Sequence, residues 1–244
     1  MSLFFSAFAS FMWGPWLLVL LLGTGFWLTI RLHGIQFRSL FYALRLTFSK
    51  EREGEGDISH FGSLMTALAA TVGIGNIAGV STAVALGGPG AIFWMWITGL
   101  VGMATKYSEG LLAVKFRRIN EKGEISGGPM YYLEEGLNKK WLGICFAAFG
   151  ACAAFGIGNM VQANTTALAV NESTGLNSVT IGMLMAILTG LVVIGGIKRI
   201  ADVASYLVPF MVAIYFAGAL IVIFRHIDQL GAGLSMVFEH AFTG

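Results

Sequence analysis

"ALAATVGIGNIAGVSTAVAL", residues 67–86, decides how this chain is read. The stretch is long and apolar enough to cross a bilayer core, which takes about 20 helical residues. Its centre nevertheless reads Gly73-Ile74-Gly75-Asn76, and Gly79 follows. Glycine inside a helix costs about 1 kcal/mol relative to alanine. A backbone group left unpaired in hydrocarbon costs several times more. Two readings are open. In the first, Gly75 and Gly79 form a GxxxG pair that admits a neighbouring helix, and Asn76 bonds across the contact. In the second, the helix is unwound at the membrane midplane. Amides after the break, near Ile74 and Gly75, then face an anion. Carbonyls before it, near Ala69, Thr71 and Val72, face a cation, and the Asn76 amide oxygen completes the cation site.

Working outward, the 244 residues are 56% hydrophobic and 11% charged, where soluble domains carry about 25% charge. The chain therefore reads as an integral membrane protein in contact with the lipid bilayer. Its 33 glycines suit helices packed closely in lipid. A net charge of +2 leaves no footprint for nucleic acid. Cys145 and Cys152 lie seven apart in one apolar run, about 10 Å along a helix, too far for a disulfide. The N-terminus lacks the basic region of a cleaved signal peptide.

Six apolar segments, at roughly 13–30, 61–86, 90–114, 143–170, 178–196 and 203–224, are expected to span. Thirteen of the 15 basic residues fall in the loops after the first, third and fifth of these. The positive-inside rule puts those loops in the cytoplasm and the N-terminus outside, in the plasma membrane. Between the first two spans, Phe37, Leu40, Phe41, Leu44 and Phe48 form one helical stripe, and Arg31, Arg38, Arg45 and Arg52 recur every seven residues. That pattern predicts a helix lying in the cytoplasmic interface. Pro129 is placed to start a short helix carrying Tyr131 and Tyr132. Residues 228–244 read as an interfacial helix on the outer side.

The other polar run at membrane depth is "FGIGNMVQANTT", where Gly156, Asn159 and Gln162 recur every third residue and share one broad face. Gln162 and Asn159 are candidates to bind a solute, and Gly156 to leave it room; helix–helix hydrogen bonding is the competing use. Lys106 and Glu109 are i, i+3 partners near the cytoplasmic end of the third span, placed to snorkel or to form an ion pair, with gating as the less favoured use. The four histidines show no metal-ligand spacing, no nucleophile or general base is positioned for catalysis, and no phosphate loop follows the glycines. The chain does not read as an enzyme, and no cofactor is expected.

Residues 66–117, "TALAATVGIGNIAGVSTAVALGGPGAIFWMWITGLVGMATKYSEGLLAVKFR", resemble the core of the alanine/glycine:cation symporters. So do "GGPMYYLEEGL" (127–137), "AAFGIGNMVQANT" (153–165) and "GGIKRIADVASYLVPFM" (195–211). The resemblance implies an all-α, multi-pass bundle of the leucine-transporter type, with two five-helix repeats of inverted topology, and symport of alanine or glycine with sodium, or with protons in some members. It aligns Gly73, Ile74, Gly75 and Asn76 with an unwound, substrate-binding turn, places the solute carboxylate near Ile74 and Gly75, with Gln162, Asn159 and Gly156 opposite, and sodium near Ala69, Thr71, Val72 and Asn76. Sodium enters as a co-transported ion.

On that resemblance residues 1–30 are an extra transmembrane helix, 31–60 the interfacial helix and loop, 61–227 the first five-helix repeat, and 228–244 the outer interfacial segment. The second repeat is missing. The chain is then expected to be a truncated or split half-carrier, and pairing with a second chain that carries the missing repeat is an open alternative. Two copies in opposite orientations are opposed by the thirteen cytoplasmic basic residues. The alternative is a non-transporting membrane scaffold or remnant in which the glycines serve packing alone.

Overall fold

A computed structural model describes residues 2–49, 58–119, 121 and 125–243. Helix dominates throughout. The N-terminal helices are α1 (Ser2–Met12), α2 (Pro15–Arg31), α3 (Ile35–Arg38) and α4 (Leu40–Thr47). Then come α5 (His60–Thr71), a π-helical turn at Gly75–Gly79, α6 (Val80–Gly87) and α7 (Gly90–Lys115). The strands β1 (Arg118–Ile119) and β2 (Ile125–Ser126) pair antiparallel, Arg118 opposite Ser126, a small departure from the all-α expectation. Beyond them lie α8 (Pro129–Gly136), α9 (Lys140–Ala153), a second π-helical turn at Ala154–Met160, α10 (Val161–Thr174), α11 (Ser178–Val193), α12 (Gly196–Arg225) and α13 (Ile227–His240).

Among the described residues, three stretches are both long and apolar enough to cross a membrane: Phe4–Arg31, Lys140–Thr174 and Gly196–Arg225. A fourth is a broken pair, His60–Thr71 with Gly75–Gly87, bent by 53°. These stretches cover the first, second, fourth and sixth of the six expected spans, and the third and fifth correspond to α7 and α11. The 16 residues of α11 rise about 24 Å, short of a hydrocarbon core of about 30 Å. The 26-residue α7 is long enough, but Lys106, Glu109 and Lys115 dilute its apolar character. Lipid is the natural solvent for the surface these helices present, since Phe155, Phe210 and Phe149 are all exposed.

The expected interfacial helix after α2 is two short ones, α3 and α4, parted at Ser39. Arg52 lies outside the described residues. Pro129 opens α8 as its fixed φ favours, and α13 takes up most of the tail as a helix. Both cysteines are free.

By contacts the chain divides into two compact units, residues 1–44 with 91–143, and residues 45–90 with 144–244. In the first, α2 meets α7 at Gly25, where an added Cβ would lie 3.1 Å from Val101. Arg118 donates to Glu135 (2.6 Å) and Glu134 (3.2 Å) and lies over the Tyr131 ring. The hydrogen bond to Glu135, then that to Glu134, holds the Arg118 guanidinium above its ordinary value. Lys106 and Glu109 form the expected ion pair at 2.7 Å, largely exposed.

The second unit carries the candidate site, and its core is the seam between α5 and α12. Met65, Ala204 and Val208 are buried there, with Phe61, Leu64, Leu68 and Val212 packed against them. Small residues set the spacing: a Cβ on Gly62 would stand 3.6 Å from that of Ala201 and 3.7 Å from the Ser205 hydroxyl. Gly62 also donates its amide to Ser59, which caps the start of α5. This seam fixes α5 and leaves its C-terminal end as the place where the chain departs from regular helix.

Candidate functional site

The last regular helical bond before the break runs from the Val72 amide to the Leu68 carbonyl at 2.7 Å. Val72 then turns to extended backbone, with φ −86° and ψ 99°. The next two amides would, in an unbroken helix, donate to the carbonyls of Ala69 and Ala70. Both turn elsewhere. The Gly73 amide donates to the Asn76 Oδ1 at 3.1 Å, and the Ile74 amide donates to the Gln162 Oε1 at 3.3 Å. The Asn76 amide donates back to the Gly73 carbonyl at 3.0 Å, so Gly73 and Asn76 close a reciprocal pair. Ile74 resumes helical backbone, and the π-helical turn leads into α6.

The two ends of the break thus differ in sign. At the C-terminal end of α5 the Ala69 and Ala70 carbonyls have lost their helical donors, which favours a cation. The Thr71 hydroxyl donates to Ala67 at 2.8 Å and keeps its oxygen lone pairs available. At the start of the second half the amides of Gly73 and Ile74 point out of the helix, which favours an anion. The acceptors they meet in the structure are neutral side-chain carbonyls, those of Asn76 and Gln162.

A cavity of about 560 Å³ opens on this break. Leu68, Val72, Gly73, Ile74, Asn76 and Ile77 supply one wall, Gln162 and Thr166 of α10 a second, and Met211, Val212, Tyr215 and Phe216 of α12 a third. A smaller neighbour of about 380 Å³ shares Ile74, Ile77 and Thr166 and runs along α10 to Ser173. Few polar groups converge on a mostly apolar lining, as in sites for small uncharged or zwitterionic solutes.

Of the residues singled out in the sequence, Val72, Gly73, Ile74, Asn76 and Gln162 line the cavity. Gly75, Gly156, Asn159, Ala69 and Thr71 are not on its lining. The close-packing reading of Gly75 and Gly79 finds no contact here, because an added Cβ at either meets nothing within 4 Å. The equal spacing of Gly156, Asn159 and Gln162 does not carry through, because residues 154–160 are π-helical and advance more slowly around the axis. Sequence reading missed that second irregularity, although a signal was present: Gly-Ile-Gly-Asn occurs at 73–76 and again at 156–159, at or beside a π-helical turn each time. It also missed Thr166 and the α12 wall, where Met211, Val212, Tyr215 and Phe216 read only as span residues. No group of histidines, cysteines or acids that could hold a metal ion occurs among the described residues.

The signature of the sodium:alanine symporter family matches residues 1–244. The chain is 53% identical over 240 residues to the sodium/alanine symporter AgcS of Methanococcus maripaludis, covering 96% of this chain and 53% of that protein. It is 48% identical over 238 residues to an uncharacterized transporter of Haemophilus influenzae, with coverage of 97% and 52%. The amino-acid carrier protein AlsT of Bacillus subtilis is 36% identical over 234 residues, with coverage of 96% and 50%. The chain therefore spans about half the length of the curated relatives it matches. With the family signature running through all of residues 1–244, a separate second chain finds no support in these likenesses.

Proposed function

The chain belongs to the sodium:alanine symporter family, a family of transporters and not of enzymes, and from that premise we propose that it supplies the first half of a carrier moving alanine or glycine with sodium across the plasma membrane. In this reading the N-terminus is outside and the basic loops are cytoplasmic. Residues 1–30 precede the first five-helix repeat (61–227) of a leucine-transporter-like inverted-repeat fold, with interfacial segments at 31–60 and 228–244.

The observation that carries the reading is the break itself, where Ala69 and Ala70 lose their helical donors while Gly73 and Ile74 turn their amides outward onto Asn76 and Gln162. A carbonyl end for a cation and an amide end for a carboxylate, a few ångströms apart, suit a zwitterion bound together with sodium. Sodium sits among the oxygens of Ala69, Thr71, Val72 and Asn76. The solute carboxylate meets Gly73, Ile74 and Gly75. Gln162 approaches from α10, and Asn159 and Gly156 lie three and six residues before it. Because the carboxylate is close to the ion, each raises the other's affinity.

The test is labelled-alanine binding to the purified protein in lipid nanodiscs, with sodium replaced by choline at fixed pH and glutamine as a larger competitor. Sodium-dependent binding that glutamine does not displace supports the proposal. Binding indifferent to sodium removes the coupling ion. No binding of any small amino acid even when residues 1–244 are joined to the second half of a family relative leaves the scaffold reading in its place.

A further inference from the structure

The bond between Ile74 and Gln162 joins residues 88 positions apart, and it uses one of the amides to which the proposed function assigns the carboxylate. Two features make it a built contact. The Gln162 amide lies against the bare Cα of Gly73, where an added Cβ would stand 3.3 Å from Oε1 and 3.5 Å from Nε2, so the glycine admits it. The α10 backbone is held at that point, since the Thr166 hydroxyl donates to the Gln162 carbonyl at 2.9 Å. The side chain beyond is exposed to the cavity and makes this one hydrogen bond among the described residues.

We propose that Gln162 is a tethered stand-in for the solute carboxylate: its Oε1 occupies the Ile74 amide while the site is empty and gives way when a carboxylate arrives. The proposal rests on the carrier reading above and adds a role to it. A neutral amide oxygen is a weaker acceptor than a carboxylate, so the exchange runs toward the solute. The side-chain amide has one acceptor end and one donor end. Once displaced, it turns over and offers its Nε2–H to the carboxylate that replaced it. While the site is empty, the stand-in also keeps the Ile74 amide from returning to Ala70, which preserves the carbonyl end of the break for the cation. A solute without a carboxylate cannot displace Gln162, and selection for the acid group follows.

The experiment is amide hydrogen exchange at Ile74 and Gly73 in the full chain in nanodiscs, for the parent protein and Q162A, first with neither sodium nor solute. Q162A is expected to speed exchange at Ile74 roughly two- to tenfold, the range for one lost hydrogen bond, and to leave Gly73, held by Asn76, unchanged. Alanine with sodium, or acetate as the simplest carboxylate, is then added to Q162A and is expected to restore protection at Ile74. Restoration by acetate and not by alanine upholds the stand-in and refutes alanine as the solute. Equal exchange at Ile74 in the two empty proteins overturns the proposal, and so does faster exchange that neither carboxylate restores.

Discussion

Replacing Asn76 by alanine separates a structural from a functional role for the break, because the two predict effects of different size. In the structure Asn76 Oδ1 accepts a single hydrogen bond, from the Gly73 amide at 3.1 Å. The backbone bond from the Asn76 amide to the Gly73 carbonyl survives the substitution. The orphaned Gly73 amide borders an open cavity that water can enter, so the loss is about 0.5–1.5 kcal/mol. Against a folding stability of about 5–15 kcal/mol, that leaves the protein overwhelmingly folded. Sodium, on the proposed function, loses one oxygen. A contact to a charged partner is worth about 1.5–3 kcal/mol, or a roughly 10- to 150-fold rise in the sodium needed for half-maximal alanine binding, at about 1.4 kcal/mol per tenfold. The assay is a sodium titration of labelled-alanine binding in nanodiscs, with thermal unfolding of the same preparations. The predicted pair is a small fall in unfolding temperature and a large rise in the sodium midpoint. A sodium midpoint within about threefold of the parent, or binding lost only in proportion to unfolded protein, refutes the reasoning.

Three further outcomes follow from particular contacts. Gly62→Leu drives a side chain into the seam held by Ala201 and Ser205, and thermal unfolding should register a loss of about 1–3 kcal/mol. Gly75→Ala meets nothing within 4 Å and the residue lies in helical structure; the same assay should find it unchanged or more stable by about 0.4–1 kcal/mol, where a close helix contact would give a loss. Burial, and then the charge of Glu109, raises the Tyr132 phenol above its ordinary value. The folded protein therefore holds that proton more tightly, and the stabilisation is present below pH about 10 and lost as the pH rises through the raised value. A pH series of unfolding temperatures should show a steeper alkaline decline in the parent than in Tyr132→Phe.

Much of this was legible in the sequence where a local rule applies. Glycines beside a polar amide in an apolar run marked 73–76 as either a close helix contact or a break, Pro129 marked the start of α8, and the spacing of Lys106 and Glu109 made an ion pair one of their expected uses. What escaped depends on contacts between distant parts of the chain. Ile74 and Gln162 were each candidates, but nothing local says that one donates to the other across 88 residues. The α12 wall escaped because Met211 and Tyr215 look the same in sequence whether they face lipid or a cavity. The π-helical turn at Ala154–Met160 shifts the faces of the helix by a fraction of a turn, enough to take Asn159 and Gly156 off the register that a 3.6-residue period assigns them.

The most direct measurement is crystallographic: crystals grown with alanine and soaked with a heavy monovalent cation in place of sodium, with the ion located by anomalous scattering. The account predicts an anomalous peak against the carbonyls of residues 69–72, and alanine density whose carboxylate lies on the amides of Gly73 and Ile74 with Gln162 turned aside. A peak elsewhere, or a regular helix running unbroken through residues 67–86, contradicts it.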